Sequence, residues 1–382
     1  MEPNMTAGTL PKPIGPVLYL ALELSEREWK LGFTIGFAQN PRLRNITGRD
    51  IDSLKKEIRL AKHRFRLPET TVVISCYEAG REGFWLHRCL TSLGILNLVV
   101  DSSSVEVKRR ARWNKTDRLD AKKLVSMLMR YHHGEYKVWS VINIPSSSIE
   151  DYRQLHRELR ALKKERTQHT NRIDGLLATQ GLSISISPSF PDHLEKLRTW
   201  DGRLLSPYLL TRLEREYRRI LLIQEQIKEI DDLRHTLLRT SEDPAIEQIR
   251  RLMKLKGIGI NSAWIFVMEL FAWRNLRNRR QVGAIVGLTP TVSQSGDSSR
   301  QQGISKAGNT FVRDIIIEIA WGWLRYQPQA KSSRWFQERF GHGSKRLRRI
   351  GIVALARRLL IDLWRYLETG ALPEGAVLLD PS

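Results

Sequence analysis

Cysteine is scarce in this chain, and several other features are absent. Only Cys76 and Cys89 occur among 382 residues, which excludes a disulfide framework and a four-cysteine zinc site and is typical of a reducing cytosol. No run of about 18 apolar residues occurs, so we expect no transmembrane helix. Residues 1–16 lack the charged-then-apolar layout of a signal peptide, so we expect a cytoplasmic protein.

Acidic residues are also in the minority. The chain has 63 Lys and Arg against 41 Asp and Glu, a formal net charge of +22. Such an excess reflects either a solubilising surface or a polyanionic partner. The charge is uneven, with a net +9 over residues 1–140, +3 over 141–240 and +10 over 241–382. This asymmetry favours nucleic acid and predicts two basic ends joined by a spacer.

The first 140 residues alternate strand and helix patterns. Short apolar or β-branched runs predict strands, and 3.6-residue periodicity predicts helices. The combination predicts an α/β domain over 1–140 with a mixed sheet. The predicted strands are Val17–Leu22, Trp29–Gly36, Thr70–Cys76 and Ile95–Val100, and the predicted helices are Ile51–Phe65, Glu82–Leu93 and Asp120–Tyr131.

The middle of the chain changes period. Apolar residues spaced by four and three form one seam in each of two long segments, which predicts an antiparallel coiled-coil hairpin over 147–240. Arg166 and His169 fill two places of the first seam. We interpret the seams as helical core with no ligand role, and a protruding hairpin as a means of joining subunits. The seam residues are Leu155, Leu159, Leu162, Ile173 and Leu176, then Leu213, Tyr217, Ile220, Ile227 and Ile230.

The last third, 244–370, predicts a mostly helical domain. Its first two helices flank Gly257-Ile-Gly259, a helix-hairpin-helix-like turn that either holds a phosphate or is simply tight. Between residues 271 and 349 there are 15 basic and four acidic residues, with tryptophans interleaved. Cations beside aromatic rings are typical of nucleic-acid contacts, although several of these tryptophans fit a core. The predicted nucleic-acid-binding residues are Lys115, Arg118, Lys256, Gly257, Gly259, Arg300, Lys306, Asn309, Arg313, Lys345, Arg346, Arg348 and Arg349.

Four N-terminal acids occupy the ends of predicted elements. Glu23 and Glu78 follow strands, and Asp117 and Asp120 are spaced i, i+3 at a helix start. Together they predict a carboxylate cluster for Mg²⁺ or Mn²⁺, and two such ions suit attack at a phosphodiester. Individually, either aspartate could be a helix cap, and Glu23 could belong to a solvated turn.

A serine-rich segment follows in the last third, from Gly287 to Arg300. It is either a polar loop or a flexible backbone that presents a serine hydroxyl to a scissile phosphate held by Arg300, Lys306 and Arg313. No histidine is near enough in sequence to act as its base.

These blocks, in this order, resemble the DEDD-type transposases of bacterial insertion sequences, the "one-ten" family of bridge-RNA-guided recombinases. The resemblance rests on LYLALELSEREWKLGF, CYEAGREGFWLHRCLTSLG and NKTDRLDAKKL, then LMKLKGIGINSAWIFVMEL, GLTPTVSQSGDSSRQQGISKAGNT and RIGIVALARRLLIDLW. It covers most of the chain apart from the first 15 or so residues and the loops of the middle hairpin.

The resemblance implies a RuvC-like, RNase H-type N-terminal domain whose metal-binding acids match Glu23, Glu78, Asp117 and Asp120. It implies a serine that forms a phosphoserine link to DNA, matching Ser295 best, with Ser293 as the alternative. It further implies multimers, dimers or tetramers, that bind element and target DNA under an element-encoded bridge RNA in the bacterial nucleoid.

Glu23 stands where the family usually has Asp, and the usual nearby lysine is not evident. Two alternatives stay open: a metal-dependent nuclease of Holliday-junction-resolvase type, which shares the four acids but does not need Ser295, and a decayed binder in which Glu23 has disabled the metal site.

Overall fold

A computed structural model of the chain describes residues 15–105, 117–295 and 298–379, and for 103, 117–119, 291–295 and 298–302 it describes the backbone only. The chain divides into two compact units, Met1–Ile144 and Pro145–Ser382. The second unit contains both the predicted hairpin and the predicted helical domain. None of the described helices is long and apolar enough to cross a membrane.

The first unit is built on a mixed five-stranded sheet in the order β3-β2-β1-β4-β5. This confirms the predicted mixed α/β architecture and adds β3, an edge strand whose sequence RLRNIT buries only Ile46. The elements are β1 (Val17–Leu24), β2 (Glu28–Thr34), β3 (Arg42–Thr47), α1 (Ile51–Arg64), β4 (Val72–Glu78), α2 (Trp85–Ser92), β5 (Leu96–Val100) and α3 (Asp117–His132).

Strand β1 is buried on both faces because helices cover both sides of the sheet. Leu18, Leu20 and Leu22 belong to the core that α1 and α2 complete. Tyr19 and Ala21, between them, belong to the core beneath α3. This two-residue alternation fixes which side chains of each strand face α3.

The second unit begins with two long helices, α4 (Ser147–Ala178) and α6 (Pro207–Thr240), joined through the short helix α5 (Phe190–Leu194). They run antiparallel: Leu159 of α4 shares a core cluster with Ile230 of α6, whereas Leu177, later in α4, shares one with Leu213, earlier in α6. His169 interrupts the apolar contact and lies 2.5 Å from the Glu216 carboxylate. Leu176, predicted in the seam, is partly buried and packs against the cluster of Leu177 and Leu213, in which the adjacent Leu177 is fully buried.

The rest of the second unit is a helical core that includes the fully buried Trp264 and Trp323. Two π-helical turns, Val267–Phe271 and Gln337–Gly341, extend α8 and α11. The elements are α7 (Pro244–Met253), α8 (Ile260–Phe266), α9 (Arg279–Ile285), β6 (Pro290–Ser295), β7 (Ser298–Ile304), α10 (Thr310–Tyr326), α11 (Lys331–Phe336) and α12 (Lys345–Thr369).

Much of the serine-rich segment is strand, so its interpretation as a polar loop is wrong, whereas the presentation of a serine hydroxyl stays a prediction. Strands β6 and β7 pair antiparallel, with Ser293 opposite Arg300 and Ser295 opposite Ser298. Alternating Thr, Val, Ser and Gln support an extended backbone. The run carries too little apolar surface for its pattern to predict a strand.

Candidate active site

Glu23 and Glu78 occupy the same end of two neighbouring strands. Strands β1 and β4 run parallel, with Leu22 opposite Tyr77 in the last pair of the ladder. Glu23 and Glu78 are the next residues of each strand, and adjacent strands lie about 4.8 Å apart. The backbone therefore brings these two carboxylates side by side at one edge of the sheet.

Both carboxylates project from the face that α3 covers. Ala21 and Cys76, two residues earlier on each strand, lie in the core beneath α3, and side chains two apart share a face. The Cys76 thiol lies close enough to both carboxylates to be affected by their charges. Burial raises the pKa of this thiol most, and the negative charges of Glu78 and Glu23 raise it further. Lys30 is the cross-strand partner of Glu23 on β2, so a cation shares this face.

Helix α3 begins at the edge where these acids lie. A Cβ on Gly32 would lie 3.2 Å from the Ala121 carbonyl oxygen, so glycine permits the close approach of the first turn of α3 to β2. Farther along, His132 Nδ1 lies 2.7 Å from the Tyr19 hydroxyl. Helix α3 therefore runs back along β1 from the Glu23 end, and Asp120 lies in the turn nearest that end.

The segment after Glu78 is fixed by a different acid, Glu82, which sequence analysis did not single out. Arg49 donates to both carboxylate oxygens of Glu82 at 2.7 and 3.1 Å, and the Trp85 indole donates at 3.1 Å. Burial would raise the pKa of Glu82, but these hydrogen bonds and the Arg49 charge hold it below its usual range. Glu82 thus supports the chain that leaves the site.

The donor set suits a hard divalent cation, because carboxylate oxygens are the ligands that Mg²⁺ and Mn²⁺ prefer. Among the described side chains, no three acids, histidines or cysteines lie close enough together to hold a metal ion. Asp117 is the first residue of α3, and its side chain lies outside the described part. Glu23 and Glu78 lie side by side at this edge, and Asp120 lies in the turn of α3 nearest to it.

Comparison with known proteins adds a second line of evidence. The chain is 38% identical over 383 residues to a putative transposase, y4rJ, of Sinorhizobium fredii, covering 95% of each chain. It is 26% identical over 296 residues, 75% of each chain, to the transposase for insertion sequence element IS1111A of Coxiella burnetii. A model of the transposase IS116/IS110/IS902 family matches residues 249–334. The chain belongs to that transposase family.

The family match spans the part of this transposase from α7 to α11, which includes the Gly257–Gly259 turn and the serine hairpin. Ser295 ends β6 and Ser293 lies two residues earlier on the same strand. Their side chains, and that of Arg300, are outside the described part, as are Lys115 and the side chain of Arg118.

The base of the serine hairpin is tightly packed backbone. A Cβ on Gly287 would lie 2.1 Å from the Ala307 carbonyl oxygen, and one on Gly308 would lie 2.1 Å from that of Ile285. The Arg313 guanidinium donates to the Lys306 carbonyl at 2.8 Å. Arg313, predicted to hold a phosphate, therefore also closes the hairpin base, and Lys306 lies there with φ of +56°.

The Gly257–Gly259 turn is likewise held by packing. Gly257 has φ of +95°, and a Cβ there would lie 3.1 Å from Tyr326. The Lys256 carbonyl accepts a hydrogen bond from the Gln327 amide at 2.8 Å. The turn itself thus favours glycine at position 257, whether or not a phosphate binds there, whereas a Cβ on Gly259 would meet nothing within 4 Å.

A buried carboxylate in the transposase was missed at the sequence level. Glu269 is fully buried in the π-helical turn and accepts hydrogen bonds from three residues of α4, at 3.1 Å from Arg153, 2.9 Å from His156 and 2.7 Å from Arg157. The Asn309 amide donates to it at 3.0 Å and also caps α10. Asn309, predicted to bind nucleic acid, therefore links the start of α10 to this cluster.

The ionised form of Glu269 is strongly favoured. Burial would raise its pKa, but the hydrogen bonds from His156 and Arg157 and the charges of Arg153 and Arg157 lower it far below its usual range. Burial lowers the pKa of His156. The only sequence signal was one acid inside the apolar run Phe266–Phe271.

Proposed function

We propose that this transposase is a recombinase that exchanges DNA strands between an insertion sequence and its target by a metal-assisted serine mechanism. The carboxylates are those of Glu23, Glu78, Asp117 and Asp120, and the nucleophile is Ser295. An element-encoded bridge RNA selects the two DNAs. The observation that carries the proposal is the meeting of Glu23 and Glu78 at one edge of the sheet beside the first turn of α3.

In this proposal the four carboxylates hold Mg²⁺ or Mn²⁺. The bound cations supply charge stabilisation for the oxygens of a phosphodiester. The protein's own contribution would be to place Glu23 and Glu78 side by side near the start of α3, so that a bound cation relieves their mutual repulsion. Lys30, on the same face as Glu23, partly offsets that repulsion.

In the serine step, one ester bond at phosphorus replaces another, so the number of phosphodiester bonds stays the same. The Ser295 hydroxyl oxygen forms a bond to phosphorus, one phosphorus–oxygen bond to deoxyribose breaks, and the hydroxyl proton passes to the leaving oxygen. The resulting phosphoserine link can be attacked by a hydroxyl of the other DNA, which restores the serine. A hairpin tip fixed at its base by Gly287 and Gly308 suits such a nucleophile, because the base stays rigid while the tip meets DNA.

The remaining partners follow from charge and shape. A net charge of +22 suits a guide RNA together with two DNA duplexes. If base pairing chooses the sequence, the protein needs to contact mainly backbone and shape. The α4–α6 hairpin is proposed to join copies of the chain into a dimer or a larger assembly.

A test of the nucleophile compares Ser295→Ala with Ser293→Ala. Each protein is incubated with end-labelled DNA carrying an element junction, Mg²⁺ and RNA from the element's flank, and adducts that survive SDS are counted. We expect the parent and Ser293→Ala to form adducts and Ser295→Ala to form none. Adducts that persist in Ser295→Ala would exclude it as the nucleophile.

The same assay separates the alternatives. Free DNA ends without any adduct would support a metal-dependent nuclease, and nucleic-acid binding without cleavage would support a decayed binder. Glu78→Gln serves as the matched metal-site variant, and we expect it to bind DNA and form no adduct.

A further inference from the structure

A cavity of about 840 Å³ opens between α10 and the first turns of α12 in the second unit. Its apolar lining comes from Ile317, Trp321, Ile352 and Val353. This volume is within the range of small-ligand sites in proteins. Its described lining residues all belong to α10, to α12 or to the residues just before α12.

Trp321 offers an exposed ring that is held in place. Its side chain is 42% exposed, whereas the neighbouring Trp323 on the same helix is fully buried. The ring packs edge-on against the buried Phe336, with 6.5 Å between centroids and 70° between planes. A fixed, exposed indole loses little side-chain entropy when a flat ligand stacks on it.

The rim of this cavity is cationic. Lys345, Arg348 and Arg349 line it from the first turns of α12, and none of the residues that line it in the described part is acidic. Helix α12 has 25 residues, begins at the cap residue Ser344 and carries no acid in its first turn. Its amino-terminal dipole adds to the positive potential.

We infer that this cavity binds an unpaired segment of DNA, with one base stacked on Trp321 and the neighbouring phosphates held by Lys345, Arg348 and Arg349. The aromatic ring selects a base and the cations select phosphate, which together match a single strand. A duplex satisfies only the cations, because its bases are already stacked and paired. The inference rests on the proposed function, since strand exchange is the step that frees an unpaired strand.

The test measures binding of a labelled single strand of about 12 deoxynucleotides to the full-length protein by fluorescence anisotropy, at one fixed salt concentration. Loss of a stacked base predicts an affinity lower by roughly tenfold in Trp321→Ala. Trp321→Phe keeps an aromatic face and should recover most of that loss. Trp200→Ala is the matched control, because Trp200 is 84% exposed in the segment between α5 and α6 and should leave binding unchanged.

Two further ligands make the assay specific for stacking. With an oligonucleotide of abasic sites, the parent and Trp321→Ala should bind equally, since only phosphates remain. With duplex DNA of the same length, the two proteins should also bind equally, whereas Arg348→Ala should weaken both ligands. Circular dichroism of each variant verifies that the fold is intact.

Several results would overturn the inference. Equal binding of the single strand by the parent and Trp321→Ala would exclude stacking, and an equal loss for the duplex would indicate a general change in the surface. The assay is repeated with a single-stranded RNA of the same sequence. If the RNA bound more tightly than the DNA, and only RNA binding depended on Trp321, the cavity would be assigned to RNA instead. A parent protein that bound no nucleic acid at all would refute the proposed function together with this inference. Nucleic-acid binding that does not depend on Trp321 would refute this inference alone.

Discussion

Glu269 offers a stringent test of how the second unit is held together. In Glu269→Gln the side chain keeps its shape but loses its charge, so Arg153 and Arg157 keep their positions without an anion. Arg153 has only 13% of its side chain exposed and His156 only 2%, whereas 40% of Arg157 is exposed and can be rehydrated. The cost therefore falls mainly on Arg153, because His156 can still donate to the amide oxygen of glutamine.

The magnitude follows from the burial of the carboxylate. Removing one partner of a buried ion pair typically costs 3–5 kcal/mol, because the other partner is left uncompensated. Rehydration of Arg157 places our expectation at the lower end, about 3 kcal/mol. Asp314→Asn is the matched control, because the Arg160–Asp314 pair is about half exposed on both sides and should cost less than about 1 kcal/mol.

The assay is urea unfolding of the full-length protein, followed by circular dichroism at neutral pH and again at acidic pH. The pKa of Glu269 is lowered in the folded state, so its contribution is complete above the unfolded value near 4.5 and is lost as pH falls below it. We expect the gap between the parent and Glu269→Gln to narrow below about pH 4.5. A neutral-pH difference under about 0.5 kcal/mol would refute this account of the cluster.

Three further predictions concern other parts of the molecule. Gly287→Ala should lower the free energy of unfolding by roughly 2 kcal/mol or more, because the new Cβ would overlap the Ala307 carbonyl oxygen and φ is +69°. In the control Gly303→Ala the new Cβ would meet nothing within 4 Å, so thermal melts should show little change. Glu23→Gln should abolish strand transfer without changing DNA affinity in gel-shift assays, and an active Glu23→Gln would remove this residue from the site. Iodoacetamide should modify Cys89 before Cys76 in the native protein, because Cys76 is buried and its pKa is raised; mass spectrometry that finds Cys76 labelled first would contradict its placement.

The sheet could largely be predicted because its strands are buried on both faces. The runs at β1 and β4 have almost no polar residues, so their pattern predicts strands whatever their neighbours are. Strand β3 was not predicted, because an edge strand with one buried residue, Ile46, has no such apolar pattern. The serine hairpin was not predicted for the same reason, since its strands pair through backbone hydrogen bonds and have few apolar residues.

The site divides in a similar way. Acids that directly follow parallel strands must emerge at one edge, so the proximity of Glu23 and Glu78 follows from topology. The Glu269 cluster could not be predicted, because its partner Arg157 is 112 residues away in sequence. Nor could the sequence indicate that Arg313 would donate a hydrogen bond to a backbone carbonyl at the hairpin base. The local sequence is the same whether an arginine makes such a bond or faces solvent.

The central claim is that this transposase joins DNA strands using the carboxylate edge and Ser295. The most direct measurement incubates the protein with element-junction DNA, target DNA, Mg²⁺ and RNA from the element's flank, and sequences the products. We predict joined element–target junctions with the parent protein and none with Glu78→Gln or Ser295→Ala. Junctions formed equally by either variant, or only free ends formed by the parent, would contradict the claim.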